Sequence, residues 1–441
     1  MSGEDFQGKV GGTFLAGAAV AALGVVTSIL LARVLGAGPR GEYALVTSTV
    51  GLVAALAHMT LNNAVIHYNR RHHPKGVEAS TLLLSLALSV PVALVAALLV
   101  PWLSGSVFDV RESYLYLGLL AVPFIPLGFA GQALLQAHYD IRGFNLIRIA
   151  TTPIIVVLLV AIAVAGGGLR DVVVAWIVTQ VLSGLIWAAV AVRGRPPENG
   201  LRPNFSIWRP LLSFGAKLHV ASVIKTLQYR ADLLLVGVLM QNSDVGHYSI
   251  ALTVAQVPWL IPDSVTTVLF PRVSAAHEGE DVMEVTSRVS RQTLLLTALI
   301  AVPLFAASPW LIEAAFGRGF RAGTGAAMLL LPGSLVFGVW KVLTAADIGE
   351  GRAALYSVTS LVSVVVDIAL CLALVPPFGI AGAAMASTLG YLSATAVVIV
   401  HLRRTKGVSP RQLLVPTTAD VHDLLDFGRR LVARARGYAP R

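Results

Sequence analysis

The sequence predicts an all-α polytopic membrane protein, with twelve transmembrane helices in two six-helix lobes. Hydrophobic residues make up 56% of the chain and charged residues only 13%. The mean hydropathy of +0.76 lies far from the balance of a soluble domain. Twelve apolar stretches are long enough to cross a bilayer. They run over 11–35, 43–67, 79–103, 114–138, 144–166, 170–192, 211–240, 246–270, 292–316, 323–346, 353–375 and 379–402. Between the sixth and seventh, residues 193–210 carry Pro196, Pro197, Pro203 and Pro210 and read as a cytosolic linker. The expected units are an N-terminal lobe (1–192), the linker (193–210), a C-terminal lobe (211–405) and a basic amphipathic tail (406–441).

The first span contains Ala19-Val20-Ala21, which has the form of a signal-peptide cleavage site. The preceding Met1–Lys9 segment holds Glu4, Asp5 and a single Lys, and the apolar run continues past the site, so the span is expected to be retained. Spans one to six have no carboxylate away from their ends, since Glu42, Asp109, Glu112, Asp140 and Asp171 all fall at boundaries. Their polar groups, including His58, Asn62, Asn63, Gln132 and Gln180, read as interhelical hydrogen bonds or as contacts to a polar cargo.

Span seven differs from the others, because its apolar run carries Lys217, His219, Lys225, Arg230 and Asp232. Lys225 lies about 14 residues in from the entry point, or roughly 21 Å at 1.5 Å per residue. That is near mid-bilayer, where a charge costs on the order of 2.5–3.5 kcal/mol and normally faces a watery cavity. A helical wheel places Ser213, Lys217, Ala221, Lys225, Gln228 and Asp232 on one side and Arg230 away from it. This stripe predicts a pathway for an anion. Alternatively, the Lys residues neutralise Asp263, Asp347 or Asp367 on neighbouring helices. Span eight contains Val257-Pro258-Trp259-Leu260-Ile261-Pro262-Asp263. Two prolines four residues apart should break the helix, and broken spans border cavities. Asp263 is then placed for ion or sugar-hydroxyl contact, or for a bond to a neighbouring Ser or Lys. Lys341, near the cytosolic end of span ten, completes the candidate set of Lys217, Lys225, Gln228, Arg230, Asp232, Asp263 and Lys341.

Cys371 lies within span eleven, and as the single cysteine it excludes an intramolecular disulfide. Gly382, Ala386 and Gly390 in span twelve fit small-xxx-small helix packing. Beyond Pro416, Thr417 and Thr418 can cap a helix that carries Val421, Leu424, Leu425, Leu431 and Val432 on one face. Acids come early (Asp420, Asp423) and arginines late (Arg429, Arg430, Arg434, Arg436), as the helix dipole prefers. This predicts an interfacial helix on the anionic inner leaflet, at roughly 1 kcal/mol per basic residue.

Orientation follows from Lys and Arg. With the N-terminus inside, 23 of the 33 fall in cytosolic segments, six (Arg33, Arg40, Arg111, Arg170, Arg318, Arg321) in outer loops and four within spans. Both termini are therefore expected in the cytosol. The net charge of +10 becomes an inner-face effect that needs no nucleic acid.

The halves also look related. A shift of 205 residues aligns Gly41 with Gly246 and Tyr43 with Tyr248, and a shift of 208 aligns Leu135 with Leu343, Ala137 with Ala345, Gly143 with Gly351 and Ala175 with Ala383. Six spans per half make this a parallel repeat. The stretch Leu30-Leu31-Ala32-Arg33-Val34-Leu35-Gly36 followed by Gly41-Glu42-Tyr43-Ala44-Leu45 resembles the opening of the polysaccharide transporter (oligosaccharide flippase) family. Tyr229-Arg230-Ala231-Asp232-Leu233-Leu234-Leu235-Val236-Gly237, Val245-Gly246-His247-Tyr248-Ser249-Ile250-Ala251, Leu269-Phe270-Pro271-Arg272-Val273-Ser274 and Phe378-Gly379-Ile380-Ala381-Gly382-Ala383-Ala384 extend the likeness over about 8–405. The resemblance implies the fold of multidrug-and-toxin extrusion proteins, two six-helix lobes around a central cavity. It also implies a prenyl-pyrophosphate-linked glycan as cargo, moved from inner to outer leaflet of the cytoplasmic membrane. Many members have fourteen spans rather than twelve, so any feature tied to two extra helices is missing.

The expected function is thus a flippase for lipid-linked oligosaccharide or a related polysaccharide precursor, working by alternating access. A small-molecule or drug exporter of the same fold and a non-transporting scaffold for polysaccharide assembly are the alternatives. A polysaccharide polymerase or glycosyltransferase is a further expected partner. No Walker loop, GxSxG or glycosyltransferase-sized domain is present, so bond chemistry is not expected. His72-His73 lacks further ligands at metal spacing, and neither a metal nor a cofactor is expected.

Overall fold

The computed structural model describes residues 3–72, 76–138, 140–193, 202–274, 282–350, 352 and 354–435. His73, most of the linker (194–201) and the last basic residues of the tail lie outside the described residues. The described chain is helical throughout and contains no strand. The first half holds α1 (Gly3–Leu35), α2 (Ala37–His58), α3 (Leu61–His72), α4 (Val77–Trp102), α5 (Glu112–Leu119), α6 (Phe124–Ala137), α7 (Ile141–Thr151), α8 (Pro153–Ala165) and α9 (Leu169–Arg193). The second holds α10 (Trp208–Gln228), α11 (Ala231–Leu239), α12 (Asn242–Gln256), α13 (Leu260–Ser274), α14 (Val282–Phe316), α15 (Thr324–Gly349), α16 (Ala354–Phe378) and α17 (Ile380–Lys406). Two tail helices follow, α18 (Pro410–Leu414) and α19 (Thr418–Ala435).

Among the described residues, ten helical segments are long and apolar enough to cross a membrane. The protein is a multi-pass membrane protein. Two further segments, α10–α11 and α12–α13, are each broken part-way, and with them the count is compatible with the expected twelve. The breaks have local causes. Val257–Trp259 forms a 3-10 turn at Pro258, where the proline removes a backbone donor. Met59 and Thr60 both adopt positive φ, 46° and 52°, and end α2. The backbone of α10 approaches this break at Gly215, where a methyl group would strike the Met59 carbonyl.

The halves meet along α2 and α12. A β-carbon on Gly41 would collide with the Asn242 carbonyl, and one on Gly246 with the Ala37 carbonyl. The pair that the 205-residue shift aligns therefore lies in direct backbone contact. Arg33 adds a latch at the same end, its Nε and Nη2 donating to the carbonyls of Ala315 (2.8 Å) and Ala314 (2.6 Å) at the end of α14. Tyr43, Leu45, Tyr248 and Ile250 belong to the largest apolar core, which spans both halves. Gly382 and Gly390 of α17 both lie against α16, in the small-residue packing expected for span twelve.

The tail is docked at its start. Leu413 is fully buried in a cluster with Trp259, Phe337 and Trp340. The Asp420 carboxylate takes two hydrogen bonds from Arg291 of α14, at 2.7 and 3.0 Å, and one from the Thr417 backbone at 2.8 Å. Burial alone would raise the Asp420 pKa, but Arg291 and Thr417 outweigh it and hold the group at about 2. Val421 and Leu425 on the expected apolar face are exposed.

Candidate functional site

Two adjoining cavities lie between the halves. The larger, about 570 Å³, is bounded by His58 and Asn62 on either side of the α2–α3 break, by Phe129, Trp176 and Gln180, and by Lys225 and Arg230. The smaller, about 410 Å³, is bounded by residues of α1, α2, α12 and α13, including Ser28, Arg40, Ser48, Thr253 and Gln256. Tyr43, Thr47, Tyr229 and Arg230 line both cavities. The α10–α11 break thus sets Arg230 at the junction. Among the described residues, no Asp or Glu lines either wall, whereas Arg40, Lys225 and Arg230 do.

Arg40 is the most telling of these. Its residue is 6% exposed, its Nη2 donates to Ser28 Oγ at 2.9 Å, and its Nε and Nη1 have no hydrogen-bond partner. Ser28 in turn meets Thr253 at 3.1 Å across the halves. Arg230 Nη1 reaches Ser48 Oγ at 3.4 Å. Burying an ion costs several kcal/mol unless a counter-charge and full hydrogen bonding offset it. A guanidinium without an ion-pair partner, with two free donors in a wall that has no carboxylate among the described residues, is therefore suited to an anionic ligand.

The sequence placed Arg40 in an outer loop, with span two opening only at residue 43. The helix instead begins at Ala37, because Gly36 makes the turn (φ 71°) and Pro39 is tolerated in a first helical turn, and Arg40 is drawn inside. The short Gly36–Gly41 connection was the only available signal.

Lys225 and Arg230 both reach the larger cavity. Arg230 does so although the wheel pointed it away, because α10 ends at Gln228 and α11 restarts at Ala231, which resets the helical phase. The same reset turns Asp232 away from both cavities and into the second half, where it is 2% exposed. Gln228 is buried with neither amide atom hydrogen-bonded, and Lys217 is exposed on α10, outside both linings. Lys341 and Asp263 pair with each other at 2.7 Å, also outside the linings. The Lys341 ammonium lies over Trp259 at 4.7 Å and Phe337 at 5.1 Å, two cation–π contacts that fix it beside Tyr229.

Asp232 has an acidic neighbour that local periodicity does not reveal. Ser387 Oγ lies 3.0 Å from Asp232 Oδ2 and 3.0 Å from Asp367 Oδ1, and Tyr248 donates its hydroxyl to Asp232 at 2.8 Å. Two carboxylates bridged by one hydroxyl in an apolar interior do not both stay ionised without compensation. The all-oxygen donor set, which includes the Ala383 carbonyl 3.1 Å from Ser387, suits a proton or a hard metal cation. Asp367 is thus engaged with Asp232, and the ion pairs that lysines make among the described residues are those of Lys341 with Asp263 and Lys406 with Glu350.

The family model for polysaccharide biosynthesis protein matches residues 30–322. The chain belongs to this family. It is 23% identical over 387 residues to the probable low-salt glycan biosynthesis flippase of Haloferax volcanii, covering 85% of this chain and 78% of that one. Its fold matches that of the lipid II flippase MurJ in an inward closed conformation, with a TM-score of 0.73 over 88% of this chain and 87% of that chain at 10% identity. A multidrug resistance MATE family transporter of the MOP superfamily, inward-facing, matches with a TM-score of 0.67 over 87% of this chain and 93% of that one at 14% identity. The architecture is thus the MurJ/MATE fold, as the sequence resemblance implied.

Proposed function

We propose that the protein is a flippase that moves a lipid-linked glycan with an anionic, phosphate-containing linkage across the cytoplasmic membrane. The observation that carries this reading is the buried, incompletely paired Arg40 guanidinium beside Arg230 in the smaller cavity, with Lys225 in the adjoining larger one and no carboxylate among the described residues of either lining. The polysaccharide biosynthesis family and the flippase relative supply the substrate class. A cationic drug would meet three positive side chains and no acid, which disfavours the exporter alternative despite the shared fold. A scaffold would have no use for intramembrane cations.

In this reading the linkage sits at Arg40 and Arg230, Lys225 adds a third charge from α10, and the prenyl chain stays in lipid between the lobes. The lobes are residues 1–192 and 211–405, rocking about the linker. With both termini in the cytosol, the α2–α12 contact at Gly41 and Gly246 closes the outer end, so the cavity awaits cargo from inside. An inside-negative potential favours outward movement of each negative charge by about 2.3 kcal/mol per 100 mV. The Asp232–Asp367 pair begins two residues after Arg230, on the first turn of α11. Filling it with a proton or cation therefore bears on the arginine's position. A polymerase or glycosyltransferase would receive the flipped product, and the tail would rest on anionic lipid.

The test is depletion of the protein in its own cell. Prenyl-linked glycan should accumulate on the inner leaflet and be restored by the native chain but not by an Arg40→Gln, Arg230→Gln double variant. Unchanged leaflet distribution on depletion would overturn the function.

A further inference from the structure

We infer that the larger cavity contains a subsite for an uncharged sugar residue, the one next to the anionic linkage. The inference rests on the flippase reading and specifies the part of the cargo that the reading leaves open. Its starting point is the uneven distribution of chemistry around that cavity. Every cation is on the α10–α11 wall, as Lys225 and Arg230. The opposite walls, from α2, α3, α6 and α9, contribute Phe129, Trp176, His58, Asn62 and Gln180.

Phe129 is 43% exposed and lines this cavity. An aromatic face left open to a watery space carries an unmet hydrophobic cost. The C–H face of a pyranose covers such a ring, because its partially positive hydrogens meet the negative π-face. Phe129 is held in place by a tilted contact with the His58 ring, centroids 5.2 Å apart. Around it, the amides of Asn62 and Gln180 supply both donors and acceptors for hydroxyl or N-acetyl groups. An apolar platform ringed by a few neutral polar groups is how small-ligand sites fix orientation. The neutral donors and acceptors on these walls fit the hydroxyls of an uncharged sugar, while Lys225 and Arg230 on the facing wall are left to the linkage. The cavity's proximity to Arg230 then places that sugar directly beside the linkage.

The full-length protein in lipid nanodiscs is titrated with two water-dispersible short-chain probes. One is a polyprenyl pyrophosphate bearing a neutral disaccharide; the other is the same polyprenyl pyrophosphate without sugar. Phe129→Ala should weaken binding of the sugar-bearing probe about 10-fold and leave the sugarless probe within about 2-fold of the native value. Because Phe129 is exposed to the cavity, its loss leaves no core void. Gln180→Leu, a second variant, should show the same split. Equal weakening of both probes, or no weakening of either, overturns the subsite while leaving the flippase reading intact. Failure of the native protein to bind either probe, or an Arg230→Gln variant that binds the sugarless probe normally, overturns the flippase reading itself, and the subsite with it.

Discussion

Replacing Arg40 separates a cavity built for an anion from one that merely tolerates a charge. The guanidinium has one protein hydrogen bond, to Ser28 Oγ at 2.9 Å, and two unpaired donors. No carboxylate is left stranded by its removal, so Arg40→Gln should escape the roughly 3–5 kcal/mol loss that follows when a buried ion pair is broken. Melting should stay near the native value or rise, since an unpaired buried charge is itself destabilising. Cargo should be affected very differently. Two charge-assisted hydrogen bonds at about 1.5–3 kcal/mol each amount to roughly 3–6 kcal/mol, or about 10²–10⁴-fold in affinity. Arg40→Lys, which keeps the charge but loses the planar fork, should fall between. The assay pairs thermal unfolding in detergent with binding of polyprenyl pyrophosphate. A destabilised Arg40→Gln protein that still binds the probe at native affinity would refute the reasoning, because Arg40 would then be structural.

Other perturbations follow from the same geometry. Lys225→Ala should lower flipping without lowering stability, and Asp367→Asn should not rescue it, since Asp367 is bridged to Asp232; instead Asp367→Asn should alter the dependence of flipping on protons or cations, read from transport under imposed gradients. Gly41→Val or Gly246→Val should force α2 and α12 apart at an overpacking cost of about 1–3 kcal/mol, and raise labelling of a Thr253→Cys reporter by an impermeant reagent roughly 10-fold. Arg291→Ala should free α18 and α19 at a cost of about 3 kcal/mol, seen as faster proteolysis of the tail. Because Asp420 titrates lower in the docked state than an ordinary carboxylate, its contribution is complete at neutral pH and is lost only as pH falls from about 4 through about 2.

Ten spans were legible in the sequence because length and apolarity alone define them among the described residues, and the Pro258 break because proline acts locally. The site was legible only in part. Lys225 stood out by depth, since burial of a charge is visible along a single helix. Arg40 did not, because its burial depends on where α2 begins. One continuous helix from Leu211 to Gln241 would put Asp232 on the cavity stripe. Two residues of irregular backbone at Tyr229 and Arg230 exchange the roles of Arg230 and Asp232. The Asp232–Ser387–Asp367 bridge joins α11, α17 and α16, and no local pattern records such a meeting. The Lys341–Asp263 pair realises the alternative in which a membrane lysine neutralises an acid on a neighbouring helix.

Reconstitution in sealed vesicles tests the central claim most directly. A fluorescent polyprenyl-pyrophosphate glycan is placed in both leaflets, and the fraction reached by an external lectin is followed over time. Native protein should move the remaining probe outward, faster under an inside-negative potential, and the Arg40→Gln, Arg230→Gln variant should hold it at the starting fraction. Vesicles in which the native protein exports a cationic dye but leaves the glycan lipid where it began would contradict the account.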